Sequence, residues 1–145
     1  MKILLAACNA KYIHSNLAVF NLKACAKEYD SNVVLREYTI NQQKDDILKD
    51  IYRCHPDVIC ISCYIWNITF VRELMQDLRK ILPDVPFWAG GPEVSYDAET
   101  FLGKNPAFNG VMVGEGEETF LELVKHYVDG SVTLEETRGL VYRKA

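Results

Sequence analysis

The chain reads as an α/β protein with a doubly wound, mainly parallel sheet between two helical layers. Three observations predict this. Lys2–Ala7 (KILLAA) and Asp57–Tyr64 (DVICISCY) are apolar with little alternation, as strands covered on both faces must be. Short apolar runs alternate along the chain with longer stretches of helical period, the pattern of repeated βαβ units. Pro56, Pro83 and Gly90-Gly91-Pro92 fall between these stretches as punctuation.

The elements follow in order. Lys2–Ala7 is the first strand. Residues 16–29 form a helix whose apolar stripe is Leu17, Phe20, Leu22, Cys25, Ala26 and Tyr29, with Lys23, Lys27 and Glu28 outside. Asn32–Tyr38 (NVVLREY) is the second strand. Gln43–Arg53 is a helix with Ile47, Leu48 and Ile51 on one face, and Asp57–Tyr64 is the third strand. Asn67 or Thr69 caps the next helix, which Pro83 stops. Val85–Ala89 is the fourth strand, Ala98–Leu102 a weak helix and Gly110–Val113 a short fifth strand. Glu115–Val128 is a helix with Phe120, Leu121, Val124 and Val128 inward, and Gly139–Arg143 (GLVYR) resembles a last strand. Right-handed crossovers then favour a five-stranded, flavodoxin-like (Rossmann-like) order 2-1-3-4-5 in three αβα layers.

At 145 residues the chain is one domain, long enough to bury a core without disulfides or metals. Lys plus Arg is 16 against 20 for Asp plus Glu, a net charge of −4, which disfavours nucleic acid as a partner. Five cysteines, an odd number, point to free thiols in a reducing cytoplasm. The opening apolar run is too short for a secretion signal, and no stretch is long enough to span a membrane.

In such a sheet ligands bind beyond the carboxyl ends of the strands, at the switch point between strands 1 and 3. The residues there are Cys8–Asn16 after strand 1, Ser62-Cys63-Tyr64-Ile65-Trp66-Asn67 after strand 3, Gly90–Ser95 after strand 4 and Gly114–Glu118 after strand 5. A phospho-receiver would need acidic residues after strand 1 and Asp after strand 3; the chain has Cys8-Asn9 and Ser62-Cys63. No glycine precedes Gly90, which excludes a dinucleotide fingerprint and a Walker A loop after strand 1. What remains is a wide mouth lined by Tyr12, His14, Tyr64 and Trp66 with two glycine-rich edges, suited to a bulky cofactor bearing amide groups. Gly90 and Gly91 let a flat group approach the backbone, so that Gly91→Val is expected to block the ligand without unfolding the domain.

Plain structural readings stand beside these. Tyr64, Trp66 and Asn67 suit strand-end packing as well as ligand contact, and Glu115 and Glu117 suit a helix N-terminus. Cys60 and Cys63 are oddly spaced on a strand and point to opposite faces, as core residues rather than metal ligands. His55 and His126 read as surface groups. Cys8 as a nucleophile lacks a local His–Asp arrangement beyond His14. No residue is assigned a catalytic role, and none a metal.

Four segments carry a family resemblance: NAKYIHSNLAV from Asn9, ISCYIWN from Ile61, AGGPEVS from Ala89 and VMVGEGEETFLEL from Val111. Together they resemble the cobalamin (B12)-binding domain found N-terminal to many radical S-adenosylmethionine (SAM) enzymes, methyltransferases and oxidative cyclases among them. The resemblance covers nearly the whole chain. It implies a module that holds cobalamin for a downstream catalytic domain, which would carry an iron–sulfur cluster and SAM. It implies cofactor contacts from Asn9, Tyr12, His14, Ser62, Tyr64, Trp66, Asn67, Gly90, Gly91, Pro92, Glu93, Gly114, Glu115, Gly116 and Glu117. Many such domains carry Asp-x-His-x-x-Gly after strand 1, whose His ligates cobalt. Asn9, Lys11 and His14 occupy those three positions here, so the resemblance implies a base-off, His-off cofactor. The chain lacks Cys-x-x-x-Cys-x-x-Cys, the radical SAM cluster motif. Residues 1–135 are then the binding domain, and 136–145 the start of a strand or linker towards the catalytic domain. The alternative is a cofactor-free domain of the same fold, used for substrate recognition or protein interaction.

Overall fold

The computed structural model describes residues 1–10, 17–114 and 116–144. The elements run β1 (Ile3–Asn9), α1 (Leu17–Cys25), a 3-10 segment (Lys27–Asn32), β2 (Val33–Thr39), α2 (Lys44–Cys54), β3 (Val58–Ser62), α3 (Ile68–Ile81), β4 (Phe87–Gly90), α4 (Pro92–Ser95), α5 (Ala98–Lys104), β5 (Gly110–Met112), α6 (Glu117–Val128) and β6 (Leu140–Tyr142). The sheet order is β2-β1-β3-β4-β5-β6. The expected parallel order is therefore present, with a sixth strand added.

Alternation along the strands sorts the core into two layers. On one face Leu4, Ala6, Cys8, Ile59, Ile61, Cys63, Phe87 and Val111 pack against α2, α3 and α5 through Ile47, Ile51, Leu74, Leu78 and Leu102. On the other, Ile3, Leu5, Ala7, Val58, Cys60, Trp88 and Met112 meet Val19 of α1 and Phe120, Leu123 and Val124 of α6. Cys60 and Cys63 thus lie on opposite faces. Trp88 takes the space that Gly110 leaves: a Cβ at Gly110 would stand 2.4 Å from its ring. The Trp88 indole N–H donates to the Tyr127 hydroxyl at 2.9 Å, so the buried indole is satisfied.

Three elements differ from the sequence expectation. The first helix ends at Cys25 and the chain tightens into the 3-10 segment. Val19 of α1 and Ala26 between the two segments are buried, while Leu17 and Phe20 stand 72% and 43% exposed. Apolar residues lie all round this helix, so its sequence does not choose a face. A short α4 follows Gly91, started by Pro92. The five-stranded sheet is corrected to six, because β6 pairs antiparallel with β5 (Gly110↔Tyr142, Val111↔Val141, Met112↔Leu140). Arg143 locks it: its guanidinium donates to the Leu102, Asn105 and Phe108 carbonyls, closing the carboxyl end of α5.

Candidate functional site

The carboxyl ends of β3, β4 and β5 finish level with one another, and β1 runs on beside β2 to Asn9. Ser62 pairs with Gly90 and Gly90 with Met112, while Ala6 pairs with Ile61 one step below. β1 sits between β2 and β3, so the crossovers leave it in opposite directions and open a crevice there.

One amide ties the crevice together. Asn67 occupies the N-cap position of α3, yet its side chain makes no cap bond. It turns inward and is 1% exposed. Its Oδ1 accepts from the Tyr64 amide at 2.8 Å, and its Nδ2 donates to the Cys8 carbonyl at 2.9 Å. The ends of β1 and β3 are thus joined by a buried, fully engaged side chain. Asn9, also buried, donates from Nδ2 to Glu37 Oε2 at 3.2 Å and joins β1 to β2.

Gly91 is a second joint. Its backbone lies at φ 107°, ψ 170°, a region that is glycine's almost alone. A Cβ there would stand 2.4 Å from the Cys63 carbonyl oxygen and 3.0 Å from the Cys63 nitrogen. The Cys63 amide donates to the Gly90 carbonyl at 2.7 Å, so β3 and β4 stay in contact beyond their last paired residues. This corrects the expectation for Gly91: its missing side chain makes room for the β3 backbone, not for a ligand. At Gly90 a Cβ would sit in ordinary contact, 3.4 Å from Met112 Cε. Ser95 joins the next two loops. Its Oγ donates to the Gly91 carbonyl at 2.8 Å and accepts from the Gly114 amide at 3.2 Å.

Between these joints and α1 lies a cleft of about 560 Å³. That is within the range of small-molecule sites. Leu5 and Met112 form its floor beside Ile61, whose side chain packs on the other face of the sheet, and Ala18, Val19, Asn21 and Leu22 of α1 form one wall. Ser62, Tyr64, Gly90, Gly91, Pro92, Ser95, Gly114, Gly116 and Glu117 complete the lining. Gly114 has a left-handed backbone, and among the described residues a Cβ built there meets nothing within 4 Å. The Tyr64 and Trp66 rings stack at 5.4 Å and 5°, with Trp66 44% exposed beside the mouth.

Of the residues singled out in the sequence, Ser62, Tyr64, Gly90, Gly91, Pro92, Gly114, Gly116 and Glu117 come together in the lining. Asn9 and Asn67 lie beneath it as buried supports, and Trp66 and Glu93 lie outside it. Tyr12, His14 and Glu115 fall outside the described residues, as does Lys11. The sequence reading missed the wall from α1, because Val19 and Leu22 look like ordinary core. It also missed Ser95, which stood within GGPEVS and had a signal in its hydroxyl. Cys8 is buried, and desolvation pushes its thiol up to about 12, so it carries no thiolate at neutral pH. The site holds apolar surface, glycine edges and a few hydroxyl, amide and carboxylate groups. That arrangement suits holding and orienting a ligand; it contains no nucleophile paired with a base among the described residues.

The family model described as "B12 binding domain" matches residues 3–124. Cobalamin-dependent radical SAM methyltransferase TokK of Streptomyces tokunonensis is 36% identical over 69 residues, covering 48% of this chain and 10% of that protein. Cytidylyl-2-hydroxyethylphosphonate methyltransferase of Streptomyces wedmorensis is 32% identical over 100 residues, 68% of this chain and 18% of that protein. The chain therefore matches only a tenth to a fifth of these relatives' length. Among solved structures, the cobalamin-dependent SAM radical enzyme OxsB with aqua-cobalamin and SAM bound superimposes with a TM-score of 0.78 over 99% of this chain and 21% of that one. At 17% identity this likeness speaks for the fold. With its parallel sheet, its crevice at the β1/β3 switch point and the family match across most of its length, the chain belongs to the B12 binding domain family.

Proposed function

We propose that this domain binds cobalamin base-off and His-off, its nucleotide tail in the cleft and its corrin ring across the mouth. The observation that carries the reading is the cleft itself, deep and apolar at the switch point. Its fit can be tested on the glycine edges. A Cβ at Gly90 would intrude on the space above Met112, and among the described residues a Cβ at Gly114 would meet nothing within 4 Å. A flat heterocycle with its ribose and phosphate suits such a slot, and a ring as wide as a corrin suits only the mouth.

The chain's own residues then have distinct tasks. Leu5, Val19 and Met112 exclude water from the tail. Ser62 offers a hydroxyl at the end of β3. Tyr64 and Trp66 present an aromatic flank, and Asn67 and Gly91 hold the loops that carry these groups. Cobalamin, when bound, supplies the organometallic chemistry; the protein supplies binding, orientation and desolvation. The names of the relatives support a role beside a radical SAM catalytic domain, which would hold the iron–sulfur cluster and SAM, in methyl transfer or oxidative cyclisation. The domain by itself is expected to show no turnover.

Titration of the full chain with hydroxocobalamin, followed by visible absorption, tests the reading. Saturable conversion to a base-off spectrum is expected. Electron paramagnetic resonance of the Co(II) form should lack axial nitrogen splitting, because Lys11 stands where the ligand His of relatives would be and a protonated amine has no lone pair. His14→Ala should weaken binding modestly and leave that spectrum unchanged. A folded protein that leaves the cobalamin spectrum unaltered would favour the cofactor-free alternative. Nitrogen splitting that disappears in His14→Ala would overturn the His-off assignment.

A further inference from the structure

The loops after β4 and β5 are held in different ways. Gly91 stands against the Cys63 backbone, close enough that a Cβ would meet its carbonyl oxygen at 2.4 Å, and the Cys63 amide donates to the Gly90 carbonyl. The loop after β5 has no such backing at Gly114. That residue is exposed, and a Cβ built there meets nothing within 4 Å among the described residues. Beyond the pairing of Gly90 with Met112, one hydrogen-bonding side chain joins the two loops among the described residues, the half-buried Ser95. Its Oγ donates to the Gly91 carbonyl at 2.8 Å and accepts from the Gly114 amide at 3.2 Å. Ser95 is itself anchored, because its own amide donates to the same Gly91 carbonyl at 3.2 Å.

We infer that Ser95 is a positioning residue: through its hydroxyl the fixed place of Gly91 sets the place of Gly114, and so the spacing of the two glycine loops that flank the cofactor's tail. The inference rests on the cobalamin reading above and assigns Ser95 no contact with the cofactor. The task requires donating and accepting at one atom. A peptide carbonyl only accepts, so Gly91 commits the hydroxyl proton and leaves a lone pair for the Gly114 N–H. Ser and Thr can serve; Ala can do neither, and a thiol does both weakly. Because Gly114 is exposed, its amide can turn to water when the hydroxyl is removed. The fold then loses little, while the loop loses its fixed distance from Gly91. Binding groups depend on the hydrogen bonds that hold their supports in place. Losing this one should weaken binding by the net worth of a hydrogen bond, about five- to tenfold.

The test is titration of the full chain and its Ser95→Ala and Ser95→Thr variants with two probes, hydroxocobalamin and cobinamide, which lacks the nucleotide tail. Ser95→Ala is expected to keep a near-parental urea midpoint and to bind hydroxocobalamin about five- to tenfold more weakly, with cobinamide affinity within about twofold of the parent. Ser95→Thr restores the hydroxyl and should return hydroxocobalamin affinity to within about twofold of the parent. A folded Ser95→Ala that binds hydroxocobalamin as the parent does would overturn the inference. Equal weakening of both probes, or loss of the fold in Ser95→Ala, would overturn it by making Ser95 a general structural residue. A Thr variant no better than Ala would overturn it by making the hydroxyl irrelevant. A parent that binds cobinamide as tightly as hydroxocobalamin would remove the tail from between the loops, and the inference with it. A parent that binds neither probe would overturn the cobalamin reading itself.

Discussion

Gly91→Ala offers the sharpest quantitative test of how the site is built. At φ 107°, ψ 170° an alanine is strained whatever surrounds it. Backbone in that region costs of the order of 1–3 kcal/mol for any residue with a Cβ. The Cβ would also meet the Cys63 carbonyl oxygen at 2.4 Å, inside any normal contact, and neither partner is a flexible side chain. Relief requires β3 and β4 to separate where the Cys63 amide donates to Gly90. Overpacking of this kind adds about 1–3 kcal/mol. The sum, about 2–6 kcal/mol, is a large fraction of the roughly 5–15 kcal/mol that holds a domain of this kind together. Urea unfolding followed by circular dichroism measures it directly, and Tm should fall by about 10 °C for a mid-range loss. Gly90→Ala is the control, since its Cβ makes only a 3.4 Å contact with Met112 and the backbone is not left-handed. It should fold with near-parental stability and bind hydroxocobalamin more weakly. If Gly91→Ala unfolds within about 0.5 kcal/mol of the parent, a margin typical of a neutral surface change, the close approach to Cys63 does not hold the loops.

Asn67→Leu should lower stability by about 2–4 kcal/mol, because it orphans the Tyr64 amide and the Cys8 carbonyl in a buried place; a urea titration within error of the parent would dismiss the bridge. Of the five free thiols, exposed Cys25 and part-exposed Cys54 should react with an aromatic disulfide reagent at once, and Cys8, Cys60 and Cys63 only on unfolding. Burial raises the last three, Cys8 and Cys60 to about 12, so the folded state keeps protons that the unfolded chain releases near 9. Their contribution is complete below pH 9 and is lost as pH rises towards 12, by up to about 1.4 kcal/mol per pH unit per thiol, which denaturant midpoints between pH 8 and 11 will register. Gly103→Ala lies within α5 with nothing within 4 Å of its Cβ, and should stabilise the domain by about 0.5–1 kcal/mol in the same assay.

The sheet was legible because its causes are local. A run such as ILLAACN can be buried on two faces only as a central parallel strand, and the alternation with helices then fixes order. The face of α1 was not legible, since apolar residues surround it and only the finished sheet chooses Val19 over Leu17. The site divides the same way. Ser62, Tyr64, Gly90 and Gly114 were readable from their places just after strands. Asn67 looked like a helix cap because its partner, the Cys8 carbonyl, is 59 residues away. Gly91 looked like room for a ligand because the Cys63 backbone that fills that room arrives from another strand. Contacts of this range are decided by tertiary packing, which no local pattern encodes.

The short β6 has a consequence for anyone who cuts or fuses this domain. A parallel sheet ends in a row of unpaired amides and carbonyls, and such an edge invites another chain to add a strand. β6 covers that row on β5 in reversed direction, and Arg143 pins the cover to α5. A version terminated after residue 135 would keep the whole cleft and lose the cover. It would display β5 as an open template, with Trp88 deprived of its neighbour Tyr142. Self-association of such a fragment at high concentration would therefore report on a bared edge and carry no information about the ligand site.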